Sequence, residues 1–297
     1  LERPFLRPVT VEWIAGEAEG WRNEMEKNSQ LSVLAQVLAA RSDAGRADGD
    51  IATAMESALD LLRVGESTSR ATDFSTHLRA DTFVEMAIAE IYRLLPFLDE
   101  PQCEAIIQRL IEMENRREPI VKLLRYHRAQ SENEFGWIGH FTAALGDTAN
   151  RLDASLDANH TQFLEDLDRK SQATVRLLIT ELSLRLRHLR SREYPEALDD
   201  LAAMRISTWF ADPFASNREV FVYRRQNGGY LLYSLGVDCD DDGGRPPENN
   251  EYGRSDWSGD GDLRLEAYFA DIPAPDADTE GIAEDVGSDE PMPDAIE

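Results

Sequence analysis

Cysteine, positive charge and long apolar runs are all scarce in this chain of 297 residues. Its two cysteines, Cys103 and Cys239, cannot build the multi-disulfide framework of a small secreted scaffold, and they leave the redox compartment open. No segment reaches the roughly 18 consecutive apolar residues of a membrane helix. No basic segment followed by an apolar one marks a signal peptide. We therefore expect no membrane segment within this chain.

Basic residues are heavily outnumbered: 31 lysines and arginines stand against 57 aspartates and glutamates, which gives a formal net charge of -26. Such a surface repels nucleic acids and anionic lipids, so neither is an expected partner. Two explanations of the acidity stay open. It serves solubility or life in a salty medium, or it attracts a specific cationic partner.

Common catalytic motifs are missing as well. The five histidines are scattered, and there is no His-Glu-x-x-His pair, Gly-x-Ser-x-Gly elbow, phosphate-binding glycine loop or Cys-x-x-Cys pair. One segment, residues 131–141, groups Glu132, Glu134, Trp137 and His140. These residue types serve metal or acid–base sites. However, the sequence Gly-Trp-Ile-Gly favours a bend with a buried aromatic anchor.

Helical spacing dominates the first half of the chain. A first helix from about residue 21 is predicted to bury one stripe, formed by Leu31, Leu34, Val37 and Leu38. The polar residues 43–49 predict a turn. Asp48 or Asp50 is expected to cap the next helix. The inner face of that second helix is predicted to comprise Ile51, Met55, Ala58, Leu59 and Leu62.

Three more helices are delimited by proline. A third is predicted over about 81–95, ended by Pro96, with Phe83, Ala87, Ile91, Leu94 and Leu95 buried. Asp99 and Pro101 predict the start of a fourth, because aspartate caps free amides and proline is tolerated in a first turn. Its apolar face is Ile106, Ile107, Leu110, Ile111 and Met113. Pro119 is expected to open a fifth.

A long helix is predicted from about 161 to 190, after a polar segment, 146–160, expected to be a loop or a frayed helix start. Its buried side would hold Phe163, Leu167, Val175, Leu178, Leu182 and Leu189. Arginines crowd its C-terminal half: Arg176, Arg185, Arg187, Arg190 and Arg192 follow one another closely. Favourable interaction with the negative end of the helix dipole explains them, and an anion site is the alternative.

Strand patterns appear only after this helix. Residues 219–225 and 230–235 are rich in β-branched and aromatic side chains, and the Gly-containing turn between them predicts a hairpin. Residues 263–269 alternate and are predicted to add a third strand. Residues 194–201 predict a short helix opened by Pro195. The sequence Asp-Pro-Phe, which begins at Asp212, predicts a turn.

The sequence thus predicts an α+β protein: a mostly helical N-terminal array of hairpins, a long helix, a small antiparallel sheet and an acidic tail. Apolar stripes recurring every 30–40 residues or so make the array tetratricopeptide-like. We place the boundaries at 1–20 (irregular), 21–160 (helical hairpins), 161–272 (long helix and β module) and 273–297, a Pro- and Gly-rich acidic tail predicted to be disordered.

The C-terminal module resembles a known family. A helix is followed by Tyr-Pro-x-x-Leu-x-x-Leu from Tyr194, then Asp-Pro-Phe, a Tyr-rich hairpin and Leu-Tyr-Ser-Leu-Gly-x-Asp ending at Asp238. This series is similar to the globular part of the major pseudopilins of type II secretion. It is also similar to uncharacterised planctomycete proteins in which an α-helical region precedes such a module. The resemblance covers about 172–272, but the apolar N-terminal helix of a prepilin is not in this sequence.

The resemblance implies a calcium site in the loop after the second strand, where the family binds calcium through aspartates and carbonyls. Asp238 matches the first loop aspartate, and Asp260 and Asp262 the later acidic pair, after an insertion at 245–259. The residues themselves give Asp238-x-Asp240-x-Asp242-Gly, the first half of an EF-hand loop. The second half does not fit, and the alternative is a solvated acidic loop whose repulsion salt screens.

Three functions are therefore open. The first is a non-enzymatic structural or interaction protein of the cell envelope or exterior, with a calcium-stabilised module and a protein partner on the helical domain. Any anchor would lie outside this chain. The second is a metal-dependent hydrolase that uses the aspartates of residues 238–242. The third is a cytoplasmic helical-repeat adaptor without metal.

Overall fold

The computed structural model of the chain describes residues 18–69, 74–122, 147–204, 206–216, 219–226, 229–248 and 259–266. Its α-helices are α1 (Ala18–Asp48), α2 (Ile51–Thr68), α3 (Phe74–Leu94), α4 (Glu100–Asn115) and α5 (Asp147–Ser191). Strands β1 (Val222–Gln226) and β2 (Gly229–Tyr233) form an antiparallel sheet, and short 3-10 helices span Leu95–Phe97, Leu198–Met204 and Ser207–Phe210. The predicted fold class is confirmed. The predicted domain boundaries stay predictions, although α5 runs through the proposed one at 160/161.

Helices α1 and α2 form a hairpin through a tighter turn than the sequence suggested. The helix continues through the predicted turn at 43–49, where Arg46 pairs with Asp43 (2.8 Å), and it stops only at Asp48. Asp50 caps α2 by accepting a hydrogen bond from the amide of Thr53 (3.1 Å). A Cβ at Gly45 would lie 2.9 Å from the backbone nitrogen of Ala54, so this crossing requires glycine.

The predicted buried stripe of α1 is only partly correct, since Leu31 and Leu38 are half-buried against the core but Leu34 and Val37 are exposed. Helix α1 packs through small residues, with Ala35 and Ala39 almost fully buried, while Leu34 and Val37 are 38% and 56% exposed. Small side chains let α1 approach α2 more closely than leucine would, because the two backbones nearly touch at Gly45. Hydrophobicity alone did not distinguish Leu34 and Val37, which lie on the outer side, from Leu31 and Leu38, which pack against the core.

Helices α3 and α4 follow their sequence signals closely. Phe83, Ala87, Ile91, Leu94 and Leu95 are buried, and Pro96 lies in the 3-10 turn that ends α3. Asp99 and Gln102 form a reciprocal capping box at the start of α4, each side chain accepting the other's amide at 2.9 Å. The predicted fifth helix is seen only as residues 120–122, and its remainder lies outside the described residues.

Helix α5 is the central element and begins at Asp147 rather than near 161. Residues 177–184 are all buried, so the helix is enclosed on every side there, whereas the predicted core residue Phe163 is 47% exposed. Buried ion pairs tie α5 to its neighbours: Lys170 contacts Glu85 of α3 at 2.7 Å. Helix α5 also packs on α4 and on the 207–210 turn. None of the helices in the described residues combines the length and apolarity needed to cross a membrane.

The C-terminal module completes the same apolar core. In the β1–β2 hairpin, Val222 is paired with Tyr233 and Gln226 with Gly229. The predicted third strand is reduced, within residues 263–266, to a single bridge between Ser234 and Leu263, and residues 267–269 lie outside the described part. The predicted helix at 194–201 forms instead as the 3-10 turn at 198–204. One continuous cluster of buried side chains runs from α1 to Leu265.

Candidate metal centre

Asp212 fixes the end of the hairpin from which the aspartate loop, residues 236–244, departs. It is 3% exposed, and its carboxylate accepts hydrogen bonds from the amides of Phe214 and Leu235 (both 2.9 Å) and the hydroxyl of Ser234 (2.8 Å). Burial raises the pKa of Asp212, and these hydrogen bonds oppose that rise. A buried carboxylate thus holds the strand end in place.

Two glycines bring the aspartate loop against the second acidic segment, 260–262. Gly236 has a positive φ of 75°, and a Cβ there would collide with the carbonyl of Gly261. Gly261 has a φ of 135°, and a Cβ there would lie 2.7 Å from the nitrogen of Pro247. The close approach of these two segments therefore requires glycine at 236, and glycine at 261 lets the second segment pass close to Pro247.

Three of the five predicted ligands converge. Asp238, Asp242 and Asp260 each offer a carboxylate oxygen, and these oxygens lie within 4.8 Å of one another. Two oxygens bound to one Ca²⁺ at about 2.3–2.6 Å lie at most about 5 Å apart, so the spacing fits a single ion. We call these three residues the carboxylate cluster. Their metal binding stays a prediction.

The other two predicted ligands lie outside the carboxylate cluster. Asp240 is exposed, and its Oδ1 accepts the amide of Asp241 (2.9 Å). Asp262 is fully buried: its Oδ2 accepts the amide of Gly244 (2.7 Å), while its Oδ1 has no hydrogen-bond partner within the described ranges. Burial raises the pKa of Asp262 to about 6. The alternation of aspartates in the sequence did not indicate which carboxylates converge.

Arg245 supplies a positive charge inside the cluster, which sequence reasoning missed. Its Nη2 donates to Oδ1 of Asp242 (2.6 Å) and to Oδ2 of Asp260 (2.8 Å), and these bonds lower the pKa of Asp260. Asp238 instead accepts the backbone amides of Asp240 (3.2 Å) and Gly261 (2.8 Å). A lone basic residue straight after the acidic run was the available signal.

Asp241 has a structural role that the sequence also left unassigned. It accepts hydrogen bonds from the Tyr233 hydroxyl (2.6 Å) and the Gly243 amide (2.9 Å), and it pairs with Arg224 of β1 (3.3 Å). The first of these bonds is the main reason that the pKa of Asp241 is lowered. Asp241 thus holds the loop against the hairpin while Asp242 turns toward the carboxylate cluster.

Three of the five arginines that the sequence groups near the end of α5 contact protein groups. Arg176 donates to the carbonyl of Ala211 (3.0 Å), Arg185 to the carbonyls of Pro96 and Leu98 (2.9 and 3.3 Å), and Arg190 pairs with Glu100 and Glu104. These contacts fix α5 to the turn between α3 and α4 and to the 207–210 turn, and they favour a structural role over an anion site. The candidate residues Glu132, Glu134, Trp137 and His140 lie outside the described residues.

No protein-family model, curated protein or solved structure matches this chain. The likeness to the pseudopilin module therefore depends on the sequence motifs alone.

Proposed function

We propose that this chain is a non-enzymatic structural or interaction protein of the cell envelope, whose C-terminal module is stabilised by calcium at Asp238, Asp242 and Asp260. The observation that carries the proposal is the convergence of three carboxylate oxygens from two segments. An ion there would link the aspartate loop to the segment at 260–262. Carboxylates are ligands that calcium prefers.

One further feature supports a bound cation. Asp242 has its Oδ2 buried without a hydrogen-bond partner among the described residues, although its Oδ1 is paired with Arg245. A buried carboxylate oxygen without a partner loses its hydration without compensation, and a cation would supply that compensation. Hydrogen bonds from the Gly261 amide to Asp238 and from the Gly244 amide to Asp262 hold the two segments together in advance, so less ordering would accompany binding.

A weak site of this kind suits an environment with much calcium. Arg245 already neutralises part of the negative charge that would attract the ion. Extracellular calcium modules bind with dissociation constants of about 10⁻⁴–10⁻³ M, which compartments outside the cytoplasm can saturate. The charge balance and the resemblance together favour the envelope or exterior. The partner of the helical domain stays a prediction.

The test is the melting temperature of the full chain in millimolar calcium, in magnesium and in excess chelator. At about 100 times its dissociation constant, a ligand specific for the folded state adds about 2.7 kcal/mol. For a chain of this size, that corresponds to a rise of roughly 5–10 °C. Asp238→Asn should abolish the rise, since the amide can still accept the Gly261 hydrogen bond but lacks the charge.

Asp240→Asn is the matched control, because it removes the same charge from the same loop but outside the carboxylate cluster. It should keep most of the calcium response. An equal loss in both variants would mean that calcium senses only the overall charge. No response to calcium in the unmodified chain would reject the metal site and favour the helical-repeat adaptor.

A further inference from the structure

A carboxylate lies in the most enclosed part of α5. Glu181 is 9% exposed, within the stretch 177–184 in which every residue is buried. The neighbouring hydroxyls of Thr180 and Ser183 bond to carbonyls of their own helix (2.8 and 2.6 Å). A carboxylate cannot donate to a carbonyl unless it is protonated. Glu181 instead accepts a hydrogen bond from the hydroxyl of Tyr230, on β2.

Glu181 thus lies on α5 where three other parts of the chain approach it. The titratable or charged groups that face it are Tyr92 of α3, Tyr230 of the hairpin, and Arg264 and Glu266 of the last described segment. We call these five residues the Glu181 cluster. The hairpin is held to α5 at this point by aromatic contacts as well.

Those aromatic contacts place Tyr230 in a stack of rings. Tyr230 packs edge-on to Tyr194 at 4.7 Å between ring centroids and lies 5.9 Å from Tyr223. Tyr194 is stacked in turn on His188 of α5 at 4.5 Å. Movement of Tyr230 away from Glu181 would therefore loosen the hairpin as a unit.

The Glu181 cluster gives an ionised Glu181 little compensation. Its one cation, Arg264, donates to Glu266 (2.9 Å) and to the carbonyl of Gly244 (3.2 Å). Burial is the largest influence and raises the pKa of Glu181 to about 7, while the hydrogen bond from Tyr230 opposes the rise. The charge on Glu181 therefore changes near neutral pH.

We propose that Glu181 is a proton-operated latch for the hairpin. When Glu181 is protonated, the neutral side chain is buried at little cost and the β1–β2 hairpin stays docked on α5. When it loses its proton, the buried charge favours an opened state in which the hairpin separates from α5 and water reaches Glu181. The carboxylate cluster and the Glu181 cluster share no residue, but Arg264 donates to the carbonyl of Gly244 in the aspartate loop, so the latch is tested with calcium removed.

The direction in which pH changes the docking of the hairpin follows from the raised pKa of Glu181. The docked state binds the proton of Glu181 more tightly than an opened state in which Glu181 has the ordinary pKa of a glutamate. Docking is therefore strongest at low pH. Docking weakens as the pH rises from the ordinary pKa of a glutamate to the raised pKa of Glu181, about 7. Between about pH 6 and about pH 8.5, the equilibrium should shift toward the opened state by roughly ten-fold.

The experiment is amide hydrogen exchange of the full chain at those two pH values, corrected for the chemical exchange rate, with chelator present throughout. Amides of the hairpin should lose protection by roughly ten-fold at the higher pH, while amides of α4 should not. Glu181→Gln should remove this difference, because glutamine keeps the shape without the charge. Asp199→Asn, an exposed change in the same module, should behave like the unmodified chain.

A second variant keeps the test decisive if Glu181→Gln folds poorly. Tyr230→Phe keeps the ring but removes the donor that favours the charged form of Glu181. In Tyr230→Phe the hairpin amides should therefore lose protection over a wider pH range, and their loss at the higher pH should be larger than in the unmodified chain. Equal protection at both pH values in the unmodified chain would overturn the latch. A loss of the same size in Glu181→Gln would overturn it too.

Discussion

The helical body and the C-terminal module are stabilised by different interactions, although they share one core. In α1–α4 apolar or close-packed contacts predominate, such as Leu110 at 0% exposure and Gly65 against Val84, and buried ion pairs such as Glu85 with Lys170 join these helices to α5. In the module, aspartates bond to the backbone: Asp212 and Asp262 each accept buried amides. The module has two strands of five residues, so side-chain carboxylates replace the hydrogen bonds that a larger sheet would supply.

This difference predicts different sensitivities. Apolar packing depends little on pH or cations, whereas carboxylates respond to both. The apolar packing of the helical body should therefore respond chiefly to changes of volume, whereas the module, like the ion pairs between α3 and α5, should respond to changes of charge. Glu181 lies on the boundary, since it belongs to a helix but contacts the hairpin.

The largest effect should come from a cavity in the helical body. Leu110→Ala removes a side chain with no exposed surface, and we expect a loss of about 2–5 kcal/mol in the free energy of unfolding. Urea denaturation should give the same loss with calcium and with chelator. Val33→Ala is the control: Val33 is 54% exposed on the outer side of α1, so its loss should be below about 0.5 kcal/mol. A large loss there would mean that the outer side of α1 is covered in solution.

A smaller and more local effect should follow from Asp212→Ala. The substitution leaves the amides of Phe214 and Leu235 and the hydroxyl of Ser234 without their acceptor. We expect a loss of about 2–4 kcal/mol, since each buried donor without a partner costs about 1–3 kcal/mol and water will reach some of them. Hydrogen exchange should increase first in β1 and β2. If α4 lost protection equally, the module would not be a separate region of lower stability. The exposed Asp199→Ala should be neutral.

The sequence predicted helices best where their ends carried signals with one physical meaning. Asp50, and Asp99 with Pro101, marked two starts because few arrangements satisfy the free amides of a first turn. The buried side of α1 was only partly predicted, because hydrophobicity does not reveal which helices approach closely. Gly45 determines that approach, and its role depends on α2, which the local pattern does not contain.

The carboxylate cluster was only partly predictable for a related reason. Alternation of aspartates assumes a regular loop, but Cys239 has a φ of 59° and Gly243 one of 74°, so the side chains do not alternate. Asp240 consequently turns away while Asp242 joins Asp260. Glu181 was hidden as well, because a glutamate within a long charged helix reads as a solvated residue until its neighbours are known.

The smallest effect predicted here is also the most informative about the module, and it concerns Arg245. In Arg245→Gln the guanidinium no longer bridges Asp242 and Asp260, so the unscreened carboxylates repel each other when no cation is bound. The melting temperature in chelator should fall, while that in saturating calcium should change little. The rise caused by calcium should therefore exceed that of the unmodified chain.

Arg224→Gln is the matched control, since Arg224 pairs with Asp241 outside the carboxylate cluster and its loss should leave the calcium response unchanged. A calcium response confined to Arg245→Gln would mean that the guanidinium permanently replaces the ion, so that the module needs no metal. Equal responses in all three chains would mean that Arg245 does not compete with calcium. A larger response in Arg245→Gln than in the unmodified chain would make Arg245 the residue that keeps the affinity low, because the ion and the guanidinium would then compete for the same carboxylates.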